Sequence, residues 1–308
     1  MKKTMAILLA FVMIFAYSTN VFALEGTEPI AKLEAVNFDG YNTSLQKVGL
    51  DYEAYLSMSP ETRAIYADLN IGEVTSTTRY FKFTDRQNNA LCRNIQLDSP
   101  NIISEIEEIS ENQYILETNN FRINNTLNNS LASTSSDSDN ITVSWLQMTT
   151  SLSVGNPDKW VLTSDVVYTG SRLFSPATQI ISLGTNAQFS IIKDSQYFSR
   201  HYEYDSLGGP LPVSYVANVN DTNWFCSSIG HAYHFDIGPD DINNQCFMAV
   251  VITPNNSAAT LVDGFGTYSK STLSFTPSIG FGTDGASISI TPSTHVTTAP
   301  NTHVQLPR

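Results

Sequence analysis

His231, His234 and Asp236 are the side chains of this sequence closest in type to a metal centre. A catalytic zinc commonly takes three protein ligands and keeps a fourth position open. Spacing decides whether the three can converge. Residues three apart share a face on a helix and point to opposite faces on a strand. Tyr233, Phe235 and Gly238 favour a strand or its end, so the trio is a candidate metal set that the local structure opposes. Asp236, Asp240 and Asp241 surround Gly238-Pro239, where carboxylates and carbonyls could hold calcium. The glycine spacing of an EF-hand loop is missing, and a plain acidic turn accounts for them.

Nucleophilic chemistry has little to draw on. The sequence holds no G-x-S-x-G elbow, no Walker loop and no dinucleotide fingerprint, and no cofactor is expected. Ser227 and Ser228 lie near His231, but closeness in sequence says little about a triad. Glu203, Asp205, Asp236 and Asp240 could supply paired carboxylates for a hydrolase, and nothing singles out two of them. Three cysteines are too few for a disulfide scaffold. Cys226 and Cys246 flank a candidate strand pair and are the expected partners if a bridge forms, leaving Cys92 as the odd thiol.

Aromatic residues make a stronger group. Tyr197, Phe198, Tyr202, Tyr204 and Tyr215 cluster in sequence. In a strand, Tyr202 and Tyr204 share a face, with His201, Glu203 and Asp205 on the other. Outward tyrosines would form a flat ligand-binding platform for a carbohydrate or a protein; inward ones would be core. Tyr197, Tyr202, Tyr204 and Tyr215 are the candidate binding residues.

These side chains must be carried by strands. From Ile141 onward, candidate strands follow one another: 141–154, 160–168, 179–183, 188–192, 197–204, 212–219, 224–237, 246–253 and 261–268. No helical pattern intervenes, which reads as an antiparallel sandwich or barrel. Ile141, Val143 and Trp145 alternate, then Leu146, Met148, Thr150, Leu152 and Val154 continue in the opposite phase, as at a β-bulge. Leu207 to Pro212 reads as a forced loop. At the C-terminus Asp284-Gly285 signals a two-residue hairpin turn that pairs Phe281 with Ile288 and Ile279 with Ile290. Pro277 and Pro292 should end its ladder. We expect the rest of the chain to be arranged around this hairpin.

The N-terminal half is mixed. Ser59-Pro60-Glu61 predicts a short helix to about Asp68, with Ile65 and Leu69 inward. Residues 75–84 predict a strand. Ile102, Ile103, Ile106 and Ile109 have helical spacing after Ser99-Pro100, with Glu105, Glu107, Glu108 and Glu111 as a solvated acidic side. Residues 124–140 are Asn- and Ser-rich without an aromatic. The expected organisation is a signal peptide at 1–23, a small α+β region at 24–129, a flexible linker at 130–139 and a β-sandwich at 140–308. The fold class is therefore mainly β: a small α+β N-terminal part followed by an antiparallel β-sandwich.

Lys2 and Lys3, the apolar run from Met5 to Ala16 and the Val21-Phe22-Ala23 site make the leader a secretion signal. The chain has 16 basic and 29 acidic residues among 308, a net charge of −13. That balance argues against nucleic acid and against charge-driven adhesion to anionic membranes.

Three stretches carry a resemblance: Ser59 to Tyr66 (S-P-E-T-R-A-I-Y) with Arg79 to Lys82 (R-Y-F-K), Ser144 to Leu152 (S-W-L-Q-M-T-T-S-L), and Ser287 to Pro292 (S-I-S-I-T-P). They resemble uncharacterised secreted proteins of Gram-positive bacteria, a group without a known activity. The resemblance implies export and a β fold, and it lends no site. The functional expectation is a secreted, non-enzymatic protein that binds an extracellular ligand. Two other classes compete. A secreted hydrolase would need converging carboxylates or a Ser/His pair. A pore former, the one case in which a membrane is a partner, would use the Ser/Thr-alternating strands as bilayer hairpins.

Overall fold

The computed structural model describes residues 40–87, 102–128, 141–156, 158–170, 177–206, 209–238, 241–256, 258–272, 274–282, 287–291 and 296–308. The expected signal peptide, the 130–139 linker, Cys92, Asp240 and the Asp284-Gly285 turn lie outside these residues. Residues 36–308 belong to one compact unit.

A 3₁₀ turn at Thr43–Val48 leads into helices α1 (Tyr52–Ser57) and α2 (Pro60–Ala67). Strands β1 (Val74–Gln87) and β2 (Ile102–Ile109) precede helix α3 (Glu111–Asn128). Then come β3 (Ile141–Asn156), β4 (Lys159–Gly170), β5 (Ala177–Thr185), β6 (Phe189–Ile191), β7 (Tyr197–Ser206) and β8 (Gly209–Val216). After them run β9 (Trp224–Cys226), β10 (Gly230–Ile237), β11 (Asp241–Pro254) and β12 (Leu261–Ser271). The chain ends with β13 (Ser278–Phe281), β14 (Ile288–Thr291), β15 (Val296–Thr298) and β16 (Thr302–Pro307).

The strands form two facing antiparallel sheets. One has the order β2-β1-β3-β4-β11-β7-β8, with β6 also on β11; the other has the order β15-β12-β5-β10-β9, with β16 also on β12. Between them lies the main core. Phe81, Phe83, Leu146, Leu162, Met248 and Val250 come from the first sheet, and Ile181, Leu183, Tyr233, Tyr268 and Val304 from the second. Period-2 alternation puts these residues on one face of each strand, so burial of the two apolar faces packs the sheets together. The mainly β sandwich read from the sequence is the observed fold.

The N-terminal region is part of this sandwich. Strand β1 pairs with β3 along the continuous register Val74↔Ser153 to Arg86↔Ile141. Strands from both sides of the expected 130–139 boundary thus share one sheet. Helix α2 starts as expected: Ser59 Oγ caps the Thr62 N–H at 3.1 Å and Pro60 takes the first turn, a cap worth about 1 kcal/mol. Leu69 is buried, and Tyr66 rather than Ile65 is the helix's deepest anchor. With Leu45, Leu50 and Tyr55 it packs on the outer face of the larger sheet, against Val161, Ala249, Val251 and Tyr197.

Two local expectations are overturned. Residues 102–109 form strand β2, not a helix: Ile102, Ser104 and Ile106 are half-buried while Ile103, Glu105 and Glu107 are exposed. The same sequence fits both periods, and β-branched isoleucines with a partner strand at β1 decide for the sheet. The helix comes one element later, where Ser110 Oγ accepts from the Gln113 N–H at 3.3 Å. That helix, α3, explains the phase switch at Trp145. Registry runs through Trp145 and Leu146 without a bulge. Leu146 faces the main core, while Trp145 faces outward and packs with Val143, Tyr80, Tyr114 and Phe121 under α3. Both faces of the strand are covered, so both phases are apolar.

The C-terminal hairpin has the expected register, Phe281↔Ile288 and Ile279↔Ile290, and its ladder stops at Ser278↔Thr291. It is not the organising centre. It forms a separate two-stranded sheet whose apolar side rests on Ile180 and Ala232, on the outer face of the smaller sheet. The stretch read as a forced loop is mostly strand β8, paired to β7 from Ser206↔Gly209 onward.

Candidate functional site

Strands β7 and β8 carry the aromatic ledge. Their register pairs Arg200 with Tyr215, Tyr202 with Val213 and Tyr204 with Leu211, so these six side chains share one face. That face continues the inner face of the larger sheet. Phe198, two residues before Arg200, is fully buried and stacks on Tyr233 of the smaller sheet at 4.3 Å between centroids. Beyond Arg200 the cover ends. Tyr204 is 44% exposed, Leu211 55% and Tyr215 41%, an apolar patch on a face that elsewhere is core.

The ledge is held rigid from below. Arg200 is buried and bonds Asp241 Oδ2 at 2.8 Å and Asn244 Oδ1 at 2.8 Å through Nε. Its guanidinium lies 3.9 Å from the Tyr202 ring centroid and 5.2 Å from that of Phe235. One face of Tyr202 is thereby pinned by a cation–π contact. Tyr215 Oη donates to Asp221 Oδ2 at 2.8 Å and lies 2.9 Å from Tyr233 Oη. Tyr233 Oη also donates to the same carboxylate oxygen at 2.9 Å. Burial opposes charge on Asp221, yet the Asn223 backbone N–H and the two tyrosine hydroxyls outweigh it and hold the carboxyl below its usual range. Burial, with Asp221 adding to it, pushes the Tyr215 hydroxyl up. Trp224 closes this side, edge-on to Tyr233 at 4.9 Å, with its Nε1 donating to Asn218 O.

Of the four expected tyrosines, three belong to the ledge. Tyr197 is on the opposite face, 4% exposed and packed in the N-terminal helical cluster. Its odd parity with Tyr202 already separates them on a strand. Leu211 and Val213 were hidden by the prolines around them. Their alternation with Pro212 and Ser214 was the readable signal, as was Arg200 two residues before Tyr202.

The expected metal set does not assemble. His231 shares the inner face of β10 with Tyr233, Phe235 and Ile237, whereas His234 and Asp236 point to the outer face. His231 is 4% exposed, and burial pushes its imidazole down to about 4. His234 packs on Phe225 and its Nδ1 lies 3.1 Å from Asn223 O. Asp236 accepts from Thr178 Oγ1 at 2.7 Å and Ser274 Oγ at 2.5 Å. Among the described residues no group of three His, Cys, Asp or Glu could hold a metal ion. Asp241, the described acid after Gly238, is committed to Arg200 and the Gly238 N–H.

The expected Cys226–Cys246 bridge is absent: both thiols are free. Cys226 is exposed on β9 of the smaller sheet, and Cys246 is buried on β11 of the larger one. The two flank β10 in sequence but not in space, because the connection after β10 crosses to the other sheet.

Hydrolytic groups are equally scattered. Glu203 bonds Asn243 on the outer face of the larger sheet, and Asp236 lies on the outer face of the smaller one. Ser227 Oγ donates to Gly230 O, while the buried His231 ring bonds the backbone of Ser227. His201 Nδ1 lies 2.8 Å from Ser214 Oγ as an exposed cross-strand pair on an open sheet face.

No family model and no curated protein matches the chain. Among solved structures it aligns with the pilus backbone RrgB of Streptococcus pneumoniae at 9% identity and TM-score 0.26, over 48% of this chain and 67% of that one. A pore-forming protein aligns at 8% identity and TM-score 0.22, over 54% and 90%. The C-terminal domain of the AgI/II polypeptide BspA of Streptococcus agalactiae aligns at 6% identity and TM-score 0.28, over 72% and 83%. All three scores are below the level at which two chains share a fold, and they carry no argument about activity.

Proposed function

We propose that this chain is a non-enzymatic extracellular binding protein and that its ligand docks on the face formed by Tyr202, Tyr204, Leu211, Val213 and Tyr215. The observation that carries the reading is the change of environment along one strand face. Phe198 is core, Arg200 is buried and paired, and Tyr204 stands open beside Leu211. Exposed aromatic and aliphatic groups on a rigid two-stranded support are a costly surface unless something covers them. Preorganised tyrosines lose little freedom when it does. The leader of the sequence supports an extracellular setting, and no described helix is long and apolar enough to cross a membrane. Glu203 and Asp236, two of the candidate hydrolytic carboxylates, lie on the outer faces of different sheets.

The test compares the purified chain with a Tyr204→Ser/Leu211→Ser variant on a panel of immobilised matrix proteins, polysaccharides and whole cells. The expected result is retention by the parent on at least one surface and its loss in the variant, with the thermal melt unchanged. Equal retention by both proteins would overturn the assignment.

A further inference from the structure

We infer that the ligand of the ledge is an uncharged oligosaccharide of two or three sugar units, a reading that rests on the ledge being the binding face. Four features of the ledge converge on this ligand class. The first is charge. Arg200 is the one ionic residue in the three facing rows, and it is buried and neutralised by Asp241 at 2.8 Å. Asp221 at the rim is spoken for by two tyrosine hydroxyls and the Asn223 N–H. A chain of net charge −13 that offers no free cation among the described residues of these rows repels sulfated, sialylated and phosphorylated ligands.

The second feature is size. Three rows along a strand pair span about 14 Å, and the two strands lie about 5 Å apart. That footprint is a fraction of the roughly 800 Å² that each partner contributes to a standard protein interface. A short chain of sugar rings fits it.

The third is the edge. Ala217 N–H donates to Phe198 O. Alternation from that pair turns the backbone groups of odd residues in β8 towards β7 and those of even residues outward. Pro210 and Pro212 are even, so the outward edge lacks two donors. An extended peptide cannot add there as a further strand.

The fourth is chemistry. Tyrosine rings offer a flat, electron-rich face to the C–H groups of a pyranose. Tyr202 has one ring face taken by Arg200 and Tyr215 has its hydroxyl fixed, which leaves ring surface as what they present.

The experiment is calorimetric titration of the purified full chain with cellotriose, chitotriose, maltotriose and xylotriose. The expected result is saturable binding of at least one, unchanged in high salt. Tyr204→Ala should weaken it about tenfold or more, equivalent to at least about 1.4 kcal/mol, while Tyr204→Phe stays within about twofold because the ring is kept. Silence across the four sugars, or binding that Tyr204→Ala leaves unchanged, overturns the inference. If the sugars are silent but the Tyr204→Ser/Leu211→Ser variant still loses surface retention, the ledge stands as a binding face and the sugar does not. If the variant loses nothing, both fall.

Discussion

Lys270 Nζ lies 2.6 Å from Asp85 Oδ2, joining the smaller sheet to the larger across the core. Both side chains are almost sealed from solvent, at 2% and 6% exposure. Ser104 Oγ donates to the other carboxylate oxygen at 2.6 Å, and the ammonium sits over the Phe83 and Tyr168 rings. Burial works against charge on Lys270, yet Tyr168 and Asp85 outweigh it and hold the ammonium above its ordinary value. Such a pair is a poor source of net stability but costly to break. Lys270→Met should destabilise by about 3–5 kcal/mol by leaving Asp85 buried and unpaired, and Asp85→Leu by a similar amount. The double variant should recover most of the loss. Urea melts of the four proteins close the cycle, and additive losses in the double variant would show that the two groups do not interact.

The C-terminal hairpin approaches the smaller sheet most closely at Gly230. A Cβ built on Gly230 would stand 2.2 Å from Phe281 Cδ1, so the ring lies directly on the backbone of β10. Gly230→Ala must push the ring away and should cost about 1–3 kcal/mol. Adding Phe281→Ala should cancel most of the steric part, since the clash partner is gone. If Gly230→Ala melts like the parent, Phe281 does not sit where the structure places it.

What could be read in advance follows a physical line. Strands, hairpin register and the Ser59 cap were legible because each depends on neighbours in sequence. Trp145 and residues 102–109 were misread because their environment is tertiary: α3 covers the outer face of β3, and β1 supplies the partner that makes β2 a strand. The sequence left the tyrosines inward or outward, because exposure depends on where the opposing sheet stops. No local pattern records that, which is also why Tyr197 was grouped with them.

His231 makes stability depend on acidity. Its folded value, about 4, lies below the ordinary 6.5. Above 6.5 the imidazole is neutral in both states and nothing is lost. Between 6.5 and 4 only the unfolded chain takes up the proton, so stability falls as pH falls through that window. The full effect is about 3 kcal/mol. His231→Leu should flatten this part of the profile relative to the parent. Denaturant midpoints of both proteins at several values between pH 7 and 4 give the difference, and parallel profiles would refute it.

The free thiols predict selective reactivity. Cys226 is exposed, and Cys246 is sealed in the core with its thiol pushed up to about 12 by burial. Burial pushes the Cys226 thiol up as well, to about 11, so access rather than thiolate content separates the two. Prolonged iodoacetamide treatment of the native protein at alkaline pH should alkylate the peptide containing Cys226 and spare that containing Cys246. Both should react in guanidinium. A native protein that yields a Cys226–Cys246 disulfide peptide without reduction would contradict the placement of the two residues in different sheets.

The prolines of β8 yield the last prediction. Strand β8 ends the larger sheet, and an unprotected edge of that kind recruits other strands. The Ala217–Phe198 bond fixes which backbone groups face outward, and Pro210 and Pro212 fall on that side with no N–H to offer. Neither proline breaks a bond to β7, so both are tolerated inside a strand. Replacing them by Thr and Val restores two outward donors and raises strand propensity while leaving the β7 pairing intact. Pro210→Thr/Pro212→Val should therefore keep its fold and its melting temperature but associate with concentration. Light scattering and size-exclusion elution over a dilution series read this directly. A variant as monodisperse as the parent would mean that the edge is protected by something other than its missing donors. A monodisperse variant that melts higher than the parent would mean that those two N–H groups point towards β7, reversing the alternation argued from Ala217.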